Sequence, residues 1–223
     1  MTDDPGTRRR SLPWWIDVIV CVVAALALGL VVKTFFVQAF VIPSGSMNPT
    51  LVEDDKLLVQ KWTFWSGEPR RGDVVVFRDP GGWLDEDETA TGSLLQRGLQ
   101  LVGLSPTGGH LVKRVVGVAG DEVRCCDAAG RTMVNGEPVD EPYLANPAVN
   151  SVHTFQVTVP RGRIWVQGDN RGNSRDSRVH LEDPDGGFVP VDLVVGKAWL
   201  RFWPFDHVGG VGGTDAFGRV PAP

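Results

Sequence analysis

Two serines one residue apart, Ser44 and Ser46, stand in "AFVIPSGSMNPTL" (39–51), directly after a long apolar run. A serine hydroxyl attacks a carbonyl only when a neighbouring base takes its proton. Pro43 and Pro49 flank the pair and keep the segment from being a regular helix or a central strand. Alone, such a stretch is as well explained as a stiff turn. The base decides the matter. No G-x-S-x-G elbow occurs in the chain, which argues against the usual hydrolase nucleophile turn. Four histidines, His110, His153, His180 and His207, lie far apart, each in a setting that reads as loop or surface. A Ser-His-Asp triad stays open, because triads are recognised by geometry and not by order.

Lysine is the other candidate. Lys113 in "LVKRVVG" is flanked by apolar residues, and strand alternation would put its side chain and that of Arg114 on opposite faces. At a pKa of about 10.4, only about one lysine in 2,500 is neutral at pH 7. A general base at this position therefore has to be buried among apolar groups; otherwise Lys113 is an ordinary edge lysine. A third stretch, "QGDNRGNSRDSR" (167–178), gathers Asp169, Arg171, Ser174, Asp176 and Arg178. It reads either as a polar surface turn or as a paired network that holds a loop rigid.

The elements that must position these residues begin with the apolar run. Residues 14–32, "WWIDVIVCVVAALALGLVV", are about the length that crosses a bilayer core. Asp17 and the two tryptophans at 14 and 15 suit the interface. A cleaved signal peptide would have a shorter apolar core, so the reading is an uncleaved anchor over 14–36. Arg8, Arg9 and Arg10 precede it and predict a cytoplasmic N-terminus, with the rest of the chain outside. Beyond the anchor the 223-residue chain is rich in Gly (27) and Pro (16) and in short Val-rich runs, which favours β structure over a helical bundle. Strands are expected in 55–62, 72–78, 110–126, 155–170 and 194–205, and a hairpin turning at Asn135-Gly136. Residues 79–109 read as an insertion with a short amphipathic helix around Leu94–Leu104. The Gly-rich tail from Val208 predicts little order.

Composition also excludes. A net charge of −5 argues against a broad nucleic-acid footprint. No His or Cys cluster stands at zinc spacing, so no metal or other cofactor is called for. Cys21 lies within the apolar run and reads as a small hydrophobe. Cys125 and Cys126 are adjacent, and either two reduced thiols or one strained bridge fits the sequence.

Together, "IPSGSMNPTL" (42–51), "RGDVVVF" (71–77), "VKRVVGVAGD" (112–121) and "GDNRGNSRDSR" (168–178), in that order behind an N-terminal anchor, resemble the type I signal peptidases. These are membrane-bound serine proteases that remove signal peptides from exported proteins. The resemblance covers about residues 14–206. It implies a mainly β fold, an antiparallel catalytic core with an inserted second β lobe at about 121–160, within an extracytoplasmic domain spanning 37–207 after a cytoplasmic segment 1–13. It assigns Ser46 as nucleophile, Lys113 as general base, Ser44 and the Ser46 N–H as oxyanion hole, and Ser174 as the group orienting the lysine. Asp169 would pair with Arg114 and Asp176 with Arg178. The implied partners are the signal peptides of preproteins, the lipid bilayer and, transiently, the export translocase; cleavage would follow an A-x-A site. Gly172 and Arg175 depart from the residues common in the family. The rival readings are a Ser-Lys self-cleaving repressor, against which the anchor argues, and a catalytically silent binding or assembly module of the same fold.

Overall fold

The structure, a computed structural model, describes residues 13–62, 67–84 and 109–223. The chain divides into two compact units, residues 1–36 and 37–223.

In the first unit, helix α1 runs from Trp14 to Val31 and buries none of its side chains. Its β-branched residues are poor helix formers in water, but in hydrocarbon a helix is the way one segment bonds all its own backbone groups. At 1.5 Å per residue α1 is about 27 Å long, and it is apolar enough to cross a membrane. A five-residue π-helical turn, Val32–Phe36, follows. Arg8, Arg9 and Arg10 lie outside the described residues.

The second unit is mainly antiparallel β. Its larger sheet contains β1 (Val37–Val41), β2 (Lys56–Gln60), β3 (Val74–Arg78), β4 (His110–Gly117), β9 (Arg163–Gln167), β10 (Val189–Pro190), β11 (Val194–Trp203) and β12 (Gly209–Gly210). Their order is β1-β2-β11-β3-β4-β9-β10, with β12 on β11. A smaller sheet holds β5 (Glu122–Cys125), β6 (Thr132–Val134), β7 (Glu137–Pro138) and β8 (Phe155–Thr158), in the order β7-β6-β5-β8. β1 is an element the sequence reading missed, because "VQAFV" continues the apolar run of the anchor.

Strand β3 explains why the larger sheet is covered on both faces. Val74, Val75, Val76 and Phe77 are all fully buried. Successive side chains alternate between faces. Val74 and Val76 accordingly join a core with Leu57, Val59 and Met47, while Val75 and Phe77 join one with Leu111, Val115 and Ile164. A third core joins the sheets: Trp165 of β9 packs with Val123, Val134 and Phe155 from the smaller sheet. The β6–β7 hairpin turns through Asn135 (φ 50°) and Gly136 (φ 83°), the signature of a type I′ turn. β8 and β9 are neighbours in sequence but belong to different sheets, β8 pairing with β5 and β9 with β4.

The tail is not loose as its glycines suggest. β12 pairs with β11, Val211 and Phe217 are buried, and Arg71 donates to the carbonyls of Val220 and Pro221. Burial of the Phe217 ring offsets the entropy that its glycine neighbours lose on ordering. Of the 79–109 insertion only the ends are described. Trp83 packs edge-on against Phe77 and stacks on His180 with centroids 4.4 Å apart. The expected helix around Leu94–Leu104 lies outside the described residues. Cys125 and Cys126 form a disulfide, and Cys21 is free.

Candidate active site

Ser46 sits in a single 3₁₀ turn, Gly45–Met47, that follows β1. Two neighbours pin the turn: Met47 and Leu51 are essentially buried. Backbone bonds from Ile42 N–H to Asp55 O and from Asp54 N–H to Ile42 O close the loop behind it. Asp55 also caps Val52 N–H at 2.8 Å. The segment is thus held by the core on both sides of the serine.

Lys113 comes from the middle of β4, opposite Val75 of β3 in register. It is 4% exposed and Ser46 is 8% exposed. Lys113 Nζ lies 2.7 Å from Ser46 Oγ, across 67 residues of sequence. Ser44 Oγ is 3.3 Å from Ser46 Oγ. A buried serine oxygen and a buried lysine nitrogen in direct contact have the geometry that a nucleophile and its base would need.

Arg114, next along β4, is also buried and serves a different partner. Its Nε and Nη2 donate to the two carboxylate oxygens of Asp169 at 2.8 and 2.6 Å, and its Nη1 donates to Gly72 O at 2.9 Å. Thr50 Oγ1 donates to Asp169 Oδ2 at 2.5 Å. The Arg114 guanidinium lies 3.9 Å from the Tyr143 ring centroid, a cation–π arrangement.

The loop 168–178 wraps against the serine turn. Asn170 N–H donates to Ser46 O at 3.0 Å, and Asn170 Nδ2 to Gly45 O at 3.1 Å. Asp176 receives Arg178 Nε and Nη2, each at 2.8 Å, and Gly168 N–H at 2.9 Å. Burial pushes the Asp176 carboxyl up, but the Arg178 hydrogen bonds and charge outweigh it and hold the group below its ordinary range. Gly168 is where the loop meets the serine. A Cβ there would stand 2.5 Å from Ser46 O and 2.6 Å from Ser174 Cβ.

The structure therefore brings Ser44, Ser46 and Lys113 together, pairs Arg114 with Asp169, and pairs Arg178 with Asp176. Ser174 is differently placed. Its Oγ is buried and is not bonded to Lys113; the group it acts on is the Asp176 carboxyl, which it helps to hold below the ordinary range. Two histidines have other partners: His180 meets Asp183 at 2.7 Å and His207 meets Asp55 at 3.2 Å. Among the described residues no cluster of His, Cys, Asp or Glu could hold a metal.

Sequence reasoning missed a buried group beside this loop. Glu141, just after β7, pairs with Arg171 through Nη2 to Oε1 at 2.5 Å and Nη1 to Oε2 at 3.1 Å. Thr132 Oγ1 and Tyr143 OH also donate to the Glu141 carboxylate, at 2.8 and 2.7 Å. Asn150 Oδ1 accepts from Arg171 Nη1. Burial pushes the Glu141 carboxyl up, yet the Arg171 charge and these hydrogen bonds bring it below its ordinary value. Burial, with the Glu141 charge, drives the Tyr143 phenol well above its ordinary value. Arg171 was visible in the charged stretch; Glu141 carries no signal in "DEPYLANP".

The family model described as "Signal peptidase, peptidase S26" matches residues 15–203. A relative named signal peptidase I from Mycobacterium tuberculosis is 39% identical, over 91% of this chain and 76% of the relative. One named probable signal peptidase I from Mycobacterium leprae is 36% identical, over 94% of this chain and 82% of its own length. A signal peptidase I from Bacillus licheniformis is 31% identical, over 93% and 98% respectively.

Proposed function

The chain belongs to the peptidase S26 signal peptidase family, and from that premise we propose that it is a membrane-anchored endopeptidase that removes signal peptides after A-x-A type sites by a Ser46–Lys113 dyad. The observation that carries the reading is the 2.7 Å contact between Lys113 Nζ and Ser46 Oγ inside the domain. Burial disfavours an ammonium relative to a free amine, which is the direction a base needs.

In the first step, Ser46 Oγ attacks the scissile carbonyl carbon while Lys113 Nζ takes the hydroxyl proton. The carbonyl oxygen becomes an oxyanion, which Ser44 Oγ and the Ser46 backbone N–H would receive in the roles the resemblance gives them. Collapse of that intermediate breaks the C–N bond, and Lys113 hands its proton to the leaving amine. The signal peptide is now an ester on Ser46. Lys113 then takes a proton from water, the hydroxide attacks the ester, and the proton returns to Ser46 Oγ as the peptide acid leaves. The Arg114–Asp169 and Arg178–Asp176 pairs take no part in proton transfer and hold β4 and the loop 168–178. The part the resemblance gives Ser174 requires its hydroxyl to turn toward Nζ when substrate binds.

The anchor fits the substrate. A signal peptide is an apolar helix in the same bilayer, so confinement to the membrane raises its effective concentration at the site. The arginines at 8–10 favour a cytoplasmic N-terminus and an extracytoplasmic peptidase domain. With that orientation the site would lie on the side where exported chains emerge.

The test uses the full chain in detergent with a preprotein carrying one A-x-A site. Wild type is expected to cut once, after that site. Arginine keeps the charge of Lys113 but cannot give up its proton, so Lys113→Arg should fold and lose about 10²–10⁴-fold in rate. Ser46→Ala should be inactive. An active Lys113→Arg or Ser46→Ala enzyme overturns the dyad.

A further inference from the structure

We infer that Glu141 and Tyr143, carried by the segment that follows the smaller sheet, are positioning residues for Ser46. The inference rests on the dyad reading above. Three contacts join residues 141–145 to the catalytic side. Glu141 forms a two-bond ion pair with Arg171, and both side chains are at most 2% exposed. Tyr143 underlies the Arg114 guanidinium at 3.9 Å. Ala145 N–H donates to Asp169 O at 3.1 Å. Each grips a residue of the loop 168–178, or one bonded to it.

The path from Glu141 to the nucleophile is short and made of directional bonds. Arg171, fixed by Glu141, donates from Nε to Gly168 O at 3.0 Å, and its own carbonyl accepts Arg178 Nη2 at 2.9 Å. The loop between these anchors is therefore set at both ends. Asn170, immediately before Arg171, holds the backbone on either side of the Ser46 Cα: its N–H bonds Ser46 O and its amide bonds Gly45 O. A shift of Arg171 is thereby a shift of the serine relative to Lys113. The second arm runs through Tyr143, Arg114 and Asp169 to β4, the strand that carries Lys113. Glu141 thus sits upstream of both halves of the dyad, and its hydroxyl donors Thr132 and Tyr143 aim its carboxylate. A buried arginine needs an acceptor, but a merely structural acceptor would not have to reach both the nucleophile's turn and the base's strand.

The experiment compares four purified full-length proteins: wild type, Tyr143→Phe, Glu141→Gln, and Glu141→Gln with Arg171→Gln, which removes both buried charges. Each is assayed on a peptide with an A-x-A site, at a temperature where its melting curve shows it folded. Tyr143→Phe, which deletes one hydroxyl and leaves the ion pair, is expected to lower kcat about three- to tenfold. The charge-neutral double variant is expected to lower it tenfold or more. In both, KM should stay within twofold, because the substrate's own contacts are untouched. Glu141→Gln alone leaves the buried Arg171 charge uncompensated and, if folded, should be no more active than the double variant. A kcat within twofold of wild type for folded Tyr143→Phe and the folded double variant overturns the inference, even if their melting temperatures fall. If the double variant does not fold, Tyr143→Phe alone decides, by the same limit. Ser46→Ala is run in parallel: its activity would sink the dyad, whereas its inactivity beside fully active Tyr143 and Glu141 variants would sink only the positioning role.

Discussion

Replacing Gly168 with alanine tests whether the loop 168–178 and the serine turn are as tightly apposed as the geometry requires. The new Cβ would stand 2.5 Å from Ser46 O. Carbon and carbonyl oxygen settle at about 3.3–3.6 Å even in favourable contacts, so about 0.8 Å must be found. Ser174 Cβ, at 2.6 Å, blocks the neighbouring direction. Both obstacles are fixed by the backbone, so no rotamer change relieves them. Either the serine turn or the end of β9 has to move, and the Asn170 N–H bond to Ser46 O moves with it. Overpacking of this kind costs about 1–3 kcal/mol, which is about 2–12 °C in Tm for a domain of this size. The rate should suffer more than the stability, because a misplacement of about 1 Å costs about 10²-fold. The assay is peptide cleavage by the detergent-solubilised chain, paired with a thermal melt. Gly213→Ala is the control, since a Cβ there meets nothing within 4 Å; it should change stability by less than about 0.5 kcal/mol. A Gly168→Ala enzyme within about threefold of wild-type activity, with an unchanged Tm, would refute the reasoning.

Acid should weaken the domain in a defined window. Folding lowers the carboxyl pKa of Glu141 and of Asp176 below their ordinary values of 4.5 and 3.8. Depressed groups give stability that is complete above those ordinary values and is lost as pH falls through the folded ones. Tm should therefore hold down to about pH 5 and fall steadily below pH 4.5; a flat Tm from pH 6 to 3 would contradict it. For orientation, Asp215 is exposed, so Asp215→Cys on intact cells should react with an impermeant thiol reagent above the wild-type background of the free Cys21. Labelling only after lysis would reverse the proposed topology.

What the sequence disclosed follows from how local each signal is. Helix α1 and strand β3 were legible because a continuous apolar run constrains them without reference to distant residues. The Asn135-Gly136 turn was legible because two consecutive positive φ values demand those residue types. The allocation of β8 and β9 to different sheets was not, because both read as short apolar strands and their partners, β5 and β4, lie elsewhere in the chain. The Ser46–Lys113 pair could be singled out from motif order, but nothing local showed the lysine to be buried. Glu141 was invisible for a sharper reason. It lies in a Pro-containing loop without periodicity, and it is buried only because Arg171, 30 residues later, comes to meet it. The order of the tail was missed because glycine content outweighed one phenylalanine.

The contacts that join Ser46 to Lys113 and Arg114 to Asp169 span 67 and 55 residues, and this has a consequence for the time before the chain is folded. Contacts so distant in sequence form late, since long loops must close first. Ser46 precedes its partner lysine by 67 residues, so the lysine reaches it only once β3 and β4 have paired, and the Asn170 clasp only once β9 has joined them. An unfinished chain therefore holds a serine with no base. Peptidase activity on the proposed scheme is switched on only by completion of the sheet.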